Sequence, residues 1–119
     1  MRFEFSTTDR IVFASGAADQ LAEIAIAFGN RAFLVLGGNP DRFNRILDQL
    51  ASAGIVCEFF PVTGEPTRKM AQAAVLSARW AQSQVVIAIG GGSAIDTGKV
   101  VAAMLRNEGE LLDYLEVVG

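Results

Sequence analysis

Residues 85–99 read VVIAIGGGSAIDTGK, and this stretch decides the fold. Residues 85–89 form an unbroken apolar run of strand length. Residues 90–92 are glycines, and apolar side chains then recur at helical spacing at positions 95, 101, 102 and 105. An unbroken apolar run, unlike an alternating one, is typical of a strand that is covered on both faces in a parallel sheet. The stretch therefore predicts a strand, a glycine turn and a helix of an α/β domain.

The same pattern repeats upstream. Residues 32–36 and 55–60 are predicted strands, and each is followed by a turn and a predicted helix, the second of which begins at an N-cap, Thr67, and ends near Gln82. Residues 3–5 and 10–13 have strand composition and are separated by turn-forming residues, so they predict a β-hairpin. Apolar residues at 21, 24, 25 and 28 predict an amphipathic helix after it. Together these elements predict a doubly wound α/β domain with a mostly parallel sheet and an N-terminal hairpin.

Composition narrows the function classes. The chain has 119 residues, 51% of them hydrophobic, so we expect a packed core in one domain or part of one. A net charge of −3 without a basic run argues against nucleic-acid binding. The absence of a long apolar stretch and of a secretory signal predicts a cytoplasmic protein that does not span a membrane. The chain has no histidine, which removes the commonest general base and transition-metal ligand.

Two single residues are expected in the core. Cys57 is the one cysteine and lies in an apolar run, where an unpaired thiol usually packs as a small hydrophobic group. Trp80 lies on the helix that follows Thr67, and we expect it to anchor that helix in the core.

The glycine turns are the candidate binding elements. Ligands of doubly wound sheets lie at the carboxyl ends of the strands, and consecutive glycines there let the backbone approach a ligand closely. The first N–H groups of the following helix have no internal partners, so such a turn favours a phosphate or diphosphate. The turn at residues 90–92 is not a Walker A loop, because Ser93 and Val100 stand where that motif needs Gly and Ser or Thr. The fingerprint G-x-G-x-x-G also fails, at Ile95.

Polar residues follow the glycines. Ser93 is the predicted N-cap of the helix, and Asp96 and Lys99 are three residues apart on one helical face. A purely structural alternative is a capping arrangement in which Ser93 pairs with Asp96 and Asp96 pairs with Lys99. That alternative leaves the three glycines unexplained, since each glycine costs conformational entropy on folding.

The sequence Gly-Gly-Gly-Ser-x-x-Asp-x-x-Lys at residues 90–99 resembles the motif of the iron-containing alcohol dehydrogenase family. Residues 10–13 with Gly16 are similar to the opening hairpin of that family, and residues 64–67 and 113–115 are similar to two of its later segments. The resemblance implies an N-terminal Rossmann-like domain that binds NAD(P), and a helical C-terminal domain that holds iron or zinc through one Asp and three His. A chain of this length without histidine is expected to be the truncated cofactor-binding part, residues 1–119, without the metal-binding domain.

The resemblance also assigns roles to residues. Gly91, Gly92 and Ser93 would hold the diphosphate, and Asp96 and Lys99 would lie near the nicotinamide ribose. Many family members have an Asp where this chain has Gly37, so the resemblance implies a preference for NADP(H), with NAD(H) possible, and Arg42 is close enough in sequence to help neutralise a phosphate. Glu65 stands where several relatives have Asn. No catalytic or metal-binding residue is expected in this chain, and the predicted cofactor-binding residues are Gly37, Gly38, Asn39, Gly90, Gly91, Gly92, Ser93, Asp96 and Lys99.

The implied function is hydride transfer between a nicotinamide cofactor and a small alcohol or carbonyl substrate, and the chain alone is expected to be inactive. Two alternatives stay open: an oxidoreductase similar to maleylacetate reductases, and a free-standing nucleotide- or phosphate-binding module. The sequence predicts a parallel sheet that looks unfinished at its edge, so we expect a homo-oligomer.

Overall fold

The computed structural model describes residues 3–6, 10–14, 20–38, 40–109 and 113–118. The strands are β1 (Phe3–Ser6), β2 (Arg10–Ala14), β3 (Arg31–Gly37), β4 (Val56–Val62), β5 (Val85–Gly90) and β6 (Asp113–Val118). The helices are α1 (Leu21–Ala25), α2 (Asn44–Ser52), α3 (Arg68–Trp80) and α4 (Gly92–Asn107), and a 3-10 turn, Pro40–Phe43, precedes α2.

The strands form one six-stranded sheet in the order β1-β2-β6-β5-β3-β4. β1 and β2 form the predicted antiparallel hairpin, and every other neighbouring pair is parallel. Each parallel connection between β3, β4, β5 and β6 passes through a helix. The predicted fold class, a doubly wound α/β domain with an N-terminal hairpin, is therefore confirmed.

The core lies on both faces of the sheet. Leu34, Ile87 and Leu115 lie side by side on three neighbouring strands, all fully buried, and pack with α1 and α2. Phe33 and Val86 point to the other face, where they pack with α3 and α4. Burying an apolar side chain of this size stabilises the folded state by about 1.5–3 kcal/mol. Double-sided burial is the physical reason why the central strands are continuously apolar in sequence.

The sheet is larger than the sequence predicts. Residues 113–118 form β6, which pairs with β5 on one side and with β2 on the other. The predicted three parallel strands therefore become five. Asp113 and Glu116 interrupt the apolar pattern of this segment and hide its strand character, although Tyr114, Leu115 and Glu116 are all buried.

The observed end of α1 differs from the sequence-based prediction, whereas the observed start of α3 agrees with it. Helix α1 ends at Ala25, before Phe28 of the predicted helical face. Thr67 is the N-cap of α3, as predicted, and its hydroxyl oxygen accepts a hydrogen bond from the Met70 N–H at 3.0 Å.

The two residues expected in the core have different environments. Trp80 is 84% exposed at the end of α3, so its predicted anchoring role is wrong. Cys57 is half-buried on β4 and packs against the core cluster on the α1 and α2 side. Burial raises the pKa of the Cys57 thiol from 9.0 to about 11, because the charged thiolate is poorly solvated there.

None of the helices in the described part of the chain combines the length and the apolar character needed to cross a lipid bilayer.

Candidate functional site

The two glycine turns meet where the winding of the sheet changes direction. From β3 the chain passes through α2 to β4 on one side, and from β5 it passes through α4 to β6 on the other side. β3 and β5 are neighbours, so the two connections leave adjacent strand ends in opposite directions. A crevice opens at such a point outside the carboxyl ends of the strands, and ligands of doubly wound proteins bind there.

Gly37 and Gly90 lie at the ends of β3 and β5, and their lack of side chains allows these two strand ends to approach closely. A Cβ on Gly90 would lie 3.1 Å from both the Cα and the N of Gly37, and the φ of Gly90 is +136°, which side chains with a Cβ rarely adopt. A Cβ on Gly37 would lie 3.2 Å from the Cβ of Ala94 in the first turns of α4. Close packing and backbone conformation therefore account for these two glycines without a ligand.

Packing and backbone conformation do not account for Gly91 and Gly92. A Cβ on either would have no neighbouring atom within 4 Å, and neither residue has a positive φ. Gly91 is the N-cap of α4 and makes no side-chain capping hydrogen bond, and the first turn of α4 contains no acidic residue. The missing side chains leave the first N–H groups of a 16-residue helix open to the crevice. The positive end of the helix dipole adds to the attraction of an anion at this point.

A cleft of about 360 Å³ occupies this position. It joins the glycine turns to the 3-10 turn after β3 and to the end of β4, and its lining residues are Gly37, Gly38, Arg42, Val62, Thr63, Gly91, Gly92, Ser93 and Ala94. The Gly38 N–H donates to the Val62 carbonyl oxygen at 3.0 Å, which fixes the turn after β3 against the end of β4. Among the described residues, the lining contains one cationic side chain and no carboxylate, so its charge suits an anionic ligand.

A larger groove of about 770 Å³ lies elsewhere, between α1 and α2. Glu23, Arg45 and Asp48 line it, so its charges are mixed, and it includes neither glycine turn nor the start of α4. We take the smaller cleft as the candidate site, because open backbone amides and the switch in winding direction coincide there.

The polar residues of the motif are placed differently from the prediction. Helix α4 begins at Gly92 with Gly91 as its N-cap, so the prediction that Ser93 caps the helix is wrong. Ser93 instead lies in the first turn and lines the cleft. The extended backbone of Gly91 lets the chain enter the helix before it reaches the serine. Asn39 lies outside the described residues, and its role in cofactor binding stays a prediction.

Asp96 and Lys99 do not line the cleft. Asp96 is exposed on α4, and the Lys99 ammonium lies 3.6 Å from Oε1 of Glu116 on β6. This ion pair replaces the Asp96–Lys99 pair of the structural alternative. Glu116 is only 2% exposed, while the Lys99 side chain is 46% exposed, so the pair reaches from the sheet to solvent.

Sequence reasoning missed Glu116. The available signal was one acidic residue inside the apolar segment 114–118, which indicates a buried carboxylate once that segment is recognised as a strand. Arg42, which the sequence analysis placed near a phosphate without including it among the cofactor-binding residues, lines the cleft, and so does Thr63, which was not predicted.

Comparison with known proteins agrees with the motif. The profile of the family "Iron-containing alcohol dehydrogenase" matches residues 8–119. The chain is 30% identical over 123 residues to the NADH-dependent butanol dehydrogenase A of Clostridium acetobutylicum, an alignment that covers 98% of this chain and 31% of the relative. It is 33% identical over 104 residues to the NADPH-dependent aldehyde reductase YqhD of Escherichia coli, which covers 85% of this chain and 27% of the relative.

The fold is also similar to that of a solved alcohol dehydrogenase structure. The archaeal halo-thermophilic alcohol dehydrogenase ADH/D1 from a Red Sea brine pool superposes with a TM-score of 0.69 at 29% identity, covering 86% of this chain and 27% of that protein. The chain thus spans about 30% of the length of the curated relatives that it matches. With the family profile over residues 8–119 and the full glycine motif at residues 90–99, the chain belongs to the iron-containing alcohol dehydrogenase family.

Proposed function

We propose that this chain is the nicotinamide-dinucleotide-binding part of an NAD(P)-dependent alcohol dehydrogenase. One observation carries the proposal: Gly91 and Gly92 are glycines that neither packing nor backbone conformation requires, and they open the start of α4 at the switch point of the sheet. A dinucleotide's diphosphate is a ligand that uses both the close backbone approach and the positive helix end.

The diphosphate would be held by the N–H groups of Gly92 and Ser93, with the Ser93 hydroxyl as a further donor from the cleft wall. A hydrogen bond to a charged group contributes about 1.5–3 kcal/mol. The cofactor's adenosine half would extend from there past Gly37 and Gly38. Asp96 and Lys99 would lie toward the nicotinamide ribose, as the family resemblance implies, with Glu116 holding the Lys99 ammonium in place.

The reaction of the whole protein would be hydride transfer between the nicotinamide and the carbon of a small alcohol or carbonyl compound. Relatives named butanol dehydrogenase and aldehyde reductase support that substrate class. The iron or zinc that the family resemblance implies would polarise the substrate oxygen. Among the residues that the structure describes, no group of three potential ligands from His, Cys, Asp and Glu is found.

We further propose NADP(H) as the preferred cofactor, with NAD(H) as the second. Gly37 and Gly38 place no carboxylate at the end of β3, where one would repel a 2′-phosphate, and no other described residue of the cleft lining supplies one. The relatives include proteins named for each cofactor. No observation favours the maleylacetate-reductase-like or free-standing-module alternatives. The cytoplasmic location and the homo-oligomer stay predictions.

Gly92→Leu tests the diphosphate site. The substitution places a side chain where the structure has open space, so we expect it to block the ligand while leaving the fold intact. Titration of the protein with NADPH and NADH, followed by nicotinamide fluorescence or calorimetry, should show affinity at least about tenfold lower than in the wild type, from the loss of one charge-assisted hydrogen bond.

Gly64→Leu is the matched control. Gly64 is exposed, a Cβ there also meets no atom within 4 Å, and the residue lies outside the cleft. We expect wild-type affinity in this variant. Unchanged dinucleotide affinity in Gly92→Leu, or no dinucleotide binding by the wild-type protein, would refute the proposed function.

A further inference from the structure

β4 forms one edge of the described sheet, where it pairs with β3 alone. The Val56 N–H donates to a carbonyl oxygen just before β3 at 2.8 Å, and the Val62 carbonyl oxygen accepts from an N–H just after β3 at 3.0 Å. Val56, Val62 and the alternate residues between them therefore direct their backbone groups toward β3. Cys57, Phe59 and Pro61 direct theirs outward, and Pro61 lacks an N–H only on that open side. The outer side of β4 is an unpaired strand edge within the described part of the chain.

Exposed apolar side chains flank this edge on both faces of the sheet. Phe59 is 47% exposed on the face that carries α1 and α2. On the other face, Val56 and Trp80 line one small cavity of about 250 Å³ at the start of β4. Leu76 is 64% exposed and lies one turn before Trp80 on the same side of α3. With typical side-chain areas, these four residues expose about 400 Å² of apolar surface.

The size of this patch fits a homodimer interface. A specific interface buries about 800 Å² on each partner, and about 65% of a homodimer interface is apolar. The four side chains therefore supply most of the apolar surface that a dimer of standard size needs, and the open strand edge adds backbone hydrogen bonds. An apolar patch of this size beside an open edge is typical of an interaction surface.

The edge is complementary to itself when a two-fold axis passes through Phe59. In that antiparallel register the Phe59 residues of two copies exchange both backbone hydrogen bonds, and each Cys57 N–H reaches the partner's Pro61 carbonyl oxygen. Glu58 then lies opposite the partner's Phe60, whereas an axis through Glu58 would place two like charges directly opposite each other. The axis at Phe59 therefore gives four backbone hydrogen bonds and an aromatic pair without a charge conflict.

Helix α3 is complementary to its own copy about the same axis. Exposed residues of α3 recur at helical spacing and form one stripe: Lys69, Ala73, Leu76 and Trp80. Trp80 lies about 8 Å along the helix from the centre of this stripe, and Val56 lies about 10 Å along β4 from Phe59. Because Trp80 and Val56 share one cavity, the centre of the stripe lies level with Phe59.

An antiparallel pair of α3 helices about this centre brings large groups against small or cationic ones. Leu76 would pack on the partner's Ala73, and the Trp80 ring would lie against the partner's Lys69, whose ammonium group is attracted by an aromatic face. The strand edge and the helix stripe thus favour the same two-fold arrangement.

We propose that a second copy of this chain docks on this surface as a two-fold dimer, through antiparallel pairing of β4 with β4 and of α3 with α3. The dimer joins the two sheets into one continuous sheet and covers Val56, Phe59, Leu76 and Trp80. The inference is independent of the proposed cofactor function, because none of these contacts uses the glycine turns.

A cysteine at position 59 tests the register of the two strands. In a Cys57→Ser background, Phe59→Cys places two thiols beside the axis, where the Cα atoms of a hydrogen-bonded antiparallel pair lie about 5.5 Å apart, within disulfide range. We expect the oxidised full-length protein to form a covalent dimer. The wild type should not, because its Cys57 residues are offset by about 13 Å in this register. Val100→Cys in the same background, at an exposed position on α4, is the matched control. No cross-link at position 59, or equal cross-linking at position 100, would overturn the proposal.

Sedimentation velocity over a range of protein concentrations measures the contribution of the helix stripe. Leu76→Glu places a charge in the contact, and it should leave the fold intact because Leu76 is exposed. We expect the dissociation constant of the dimer to rise at least about tenfold. Trp80→Glu repeats the test at a second position of the stripe. Val100→Glu, an equivalent change on α4, should stay within about twofold of the wild type.

Other occupants of the surface give different results. The part of the fluorescence that Trp80→Phe removes should shift to shorter wavelength as the dimer forms. If another part of the same protein covers the surface, this emission will lie at short wavelength at every concentration. If a different protein binds there, the wild type will stay monomeric and Trp80 will emit like tryptophan in water throughout. Either result overturns the proposal, as does a dimer that Leu76→Glu and Trp80→Glu leave unchanged.

Discussion

Gly98→Ala should destabilise the protein, although alanine is the better helix former. Gly98 lies on the face of α4 that packs against β5 and β6. A Cβ there would lie 2.7 Å from the Ala88 Cβ, 3.1 Å from Cε1 of Tyr114 and 3.2 Å from its hydroxyl oxygen. Carbon atoms pack at about 3.5–4.0 Å, so the helix or the sheet would have to move by close to 1 Å.

Two destabilising contributions and one stabilising contribution set the change in the free energy of unfolding. Overpacking a filled core costs about 1–3 kcal/mol. The Tyr114 hydroxyl now donates to the Ile95 carbonyl oxygen at 3.2 Å, and displacing it costs about 0.5–1.5 kcal/mol more. Replacing glycine by alanine inside a helix stabilises the folded state by about 1 kcal/mol, because alanine has the higher helix propensity. We therefore expect a net loss of about 0.5–3.5 kcal/mol in the free energy of unfolding, given these ranges.

Urea denaturation of the wild type, Gly98→Ala and a double variant that also carries Ala88→Gly measures this effect. Ala88→Gly removes the atom nearest the new Cβ, so the double variant should be more stable than the sum of the two single changes predicts. Gly92→Ala, in the same helix but facing open space, is the matched control and should change stability by less than about 1 kcal/mol. A Gly98→Ala variant as stable as the wild type, or changes that simply add in the double variant, would refute the packing argument.

Further predictions concern Cys57, Trp80 and the sheet edge. Because burial raises the pKa of the Cys57 thiol to about 11, its alkylation by iodoacetamide at pH 8 should be about 100-fold slower than in the urea-unfolded chain, in proportion to the thiolate fraction. The raised pKa also stabilises the folded state below pH 9, and this contribution should be lost as pH rises from 9.0 toward about 11; a flat stability profile there would contradict it. Trp80, at 84% exposure, should emit like tryptophan in water in the monomer, and Trp80→Phe should cost the monomer less than about 0.5 kcal/mol; blue-shifted emission of the monomer would contradict this. β4 is an edge of the described sheet and exposes Val56 by 59%, so Val56→Lys should weaken self-association in sedimentation; an unchanged oligomer would exclude this edge.

Much of the fold is predictable from the sequence because the central strands are buried on both faces. The apolar runs around Phe33 and Ile87 can satisfy that burial only as covered parallel strands, and the turn residues around them mark the helices. β6 could not be predicted in this way, because Glu116 breaks the pattern and its burial depends on the tertiary contact with Lys99. Trp80 could not be placed either, since the exposure of one helix side depends on what packs beside β4 at the edge of the sheet.

The backbone part of the candidate site, which consists of the glycine turns, was predictable from the sequence. Surplus glycines at a strand end cost conformational entropy and therefore indicate a close approach of the backbone to another group. Those at residues 37–38 and 91–92 do line one crevice. Which glycine serves which purpose was not predictable, because the contact between Gly37 and Gly90 joins strands that are distant in the sequence. The cap position of Ser93 depended on where the helix begins, and sequence patterns fix such boundaries poorly.

The central claim is that the open amides at the start of α4 hold the cofactor's diphosphate. The most direct measurement is the change in backbone amide NMR shifts when NADPH is added to the isotopically labelled protein. We predict the largest changes at Gly91, Gly92 and Ser93, with a second group at Gly38 and Arg42. Changes concentrated instead in the groove between α1 and α2, with the amides of residues 91–93 unmoved, would contradict the account.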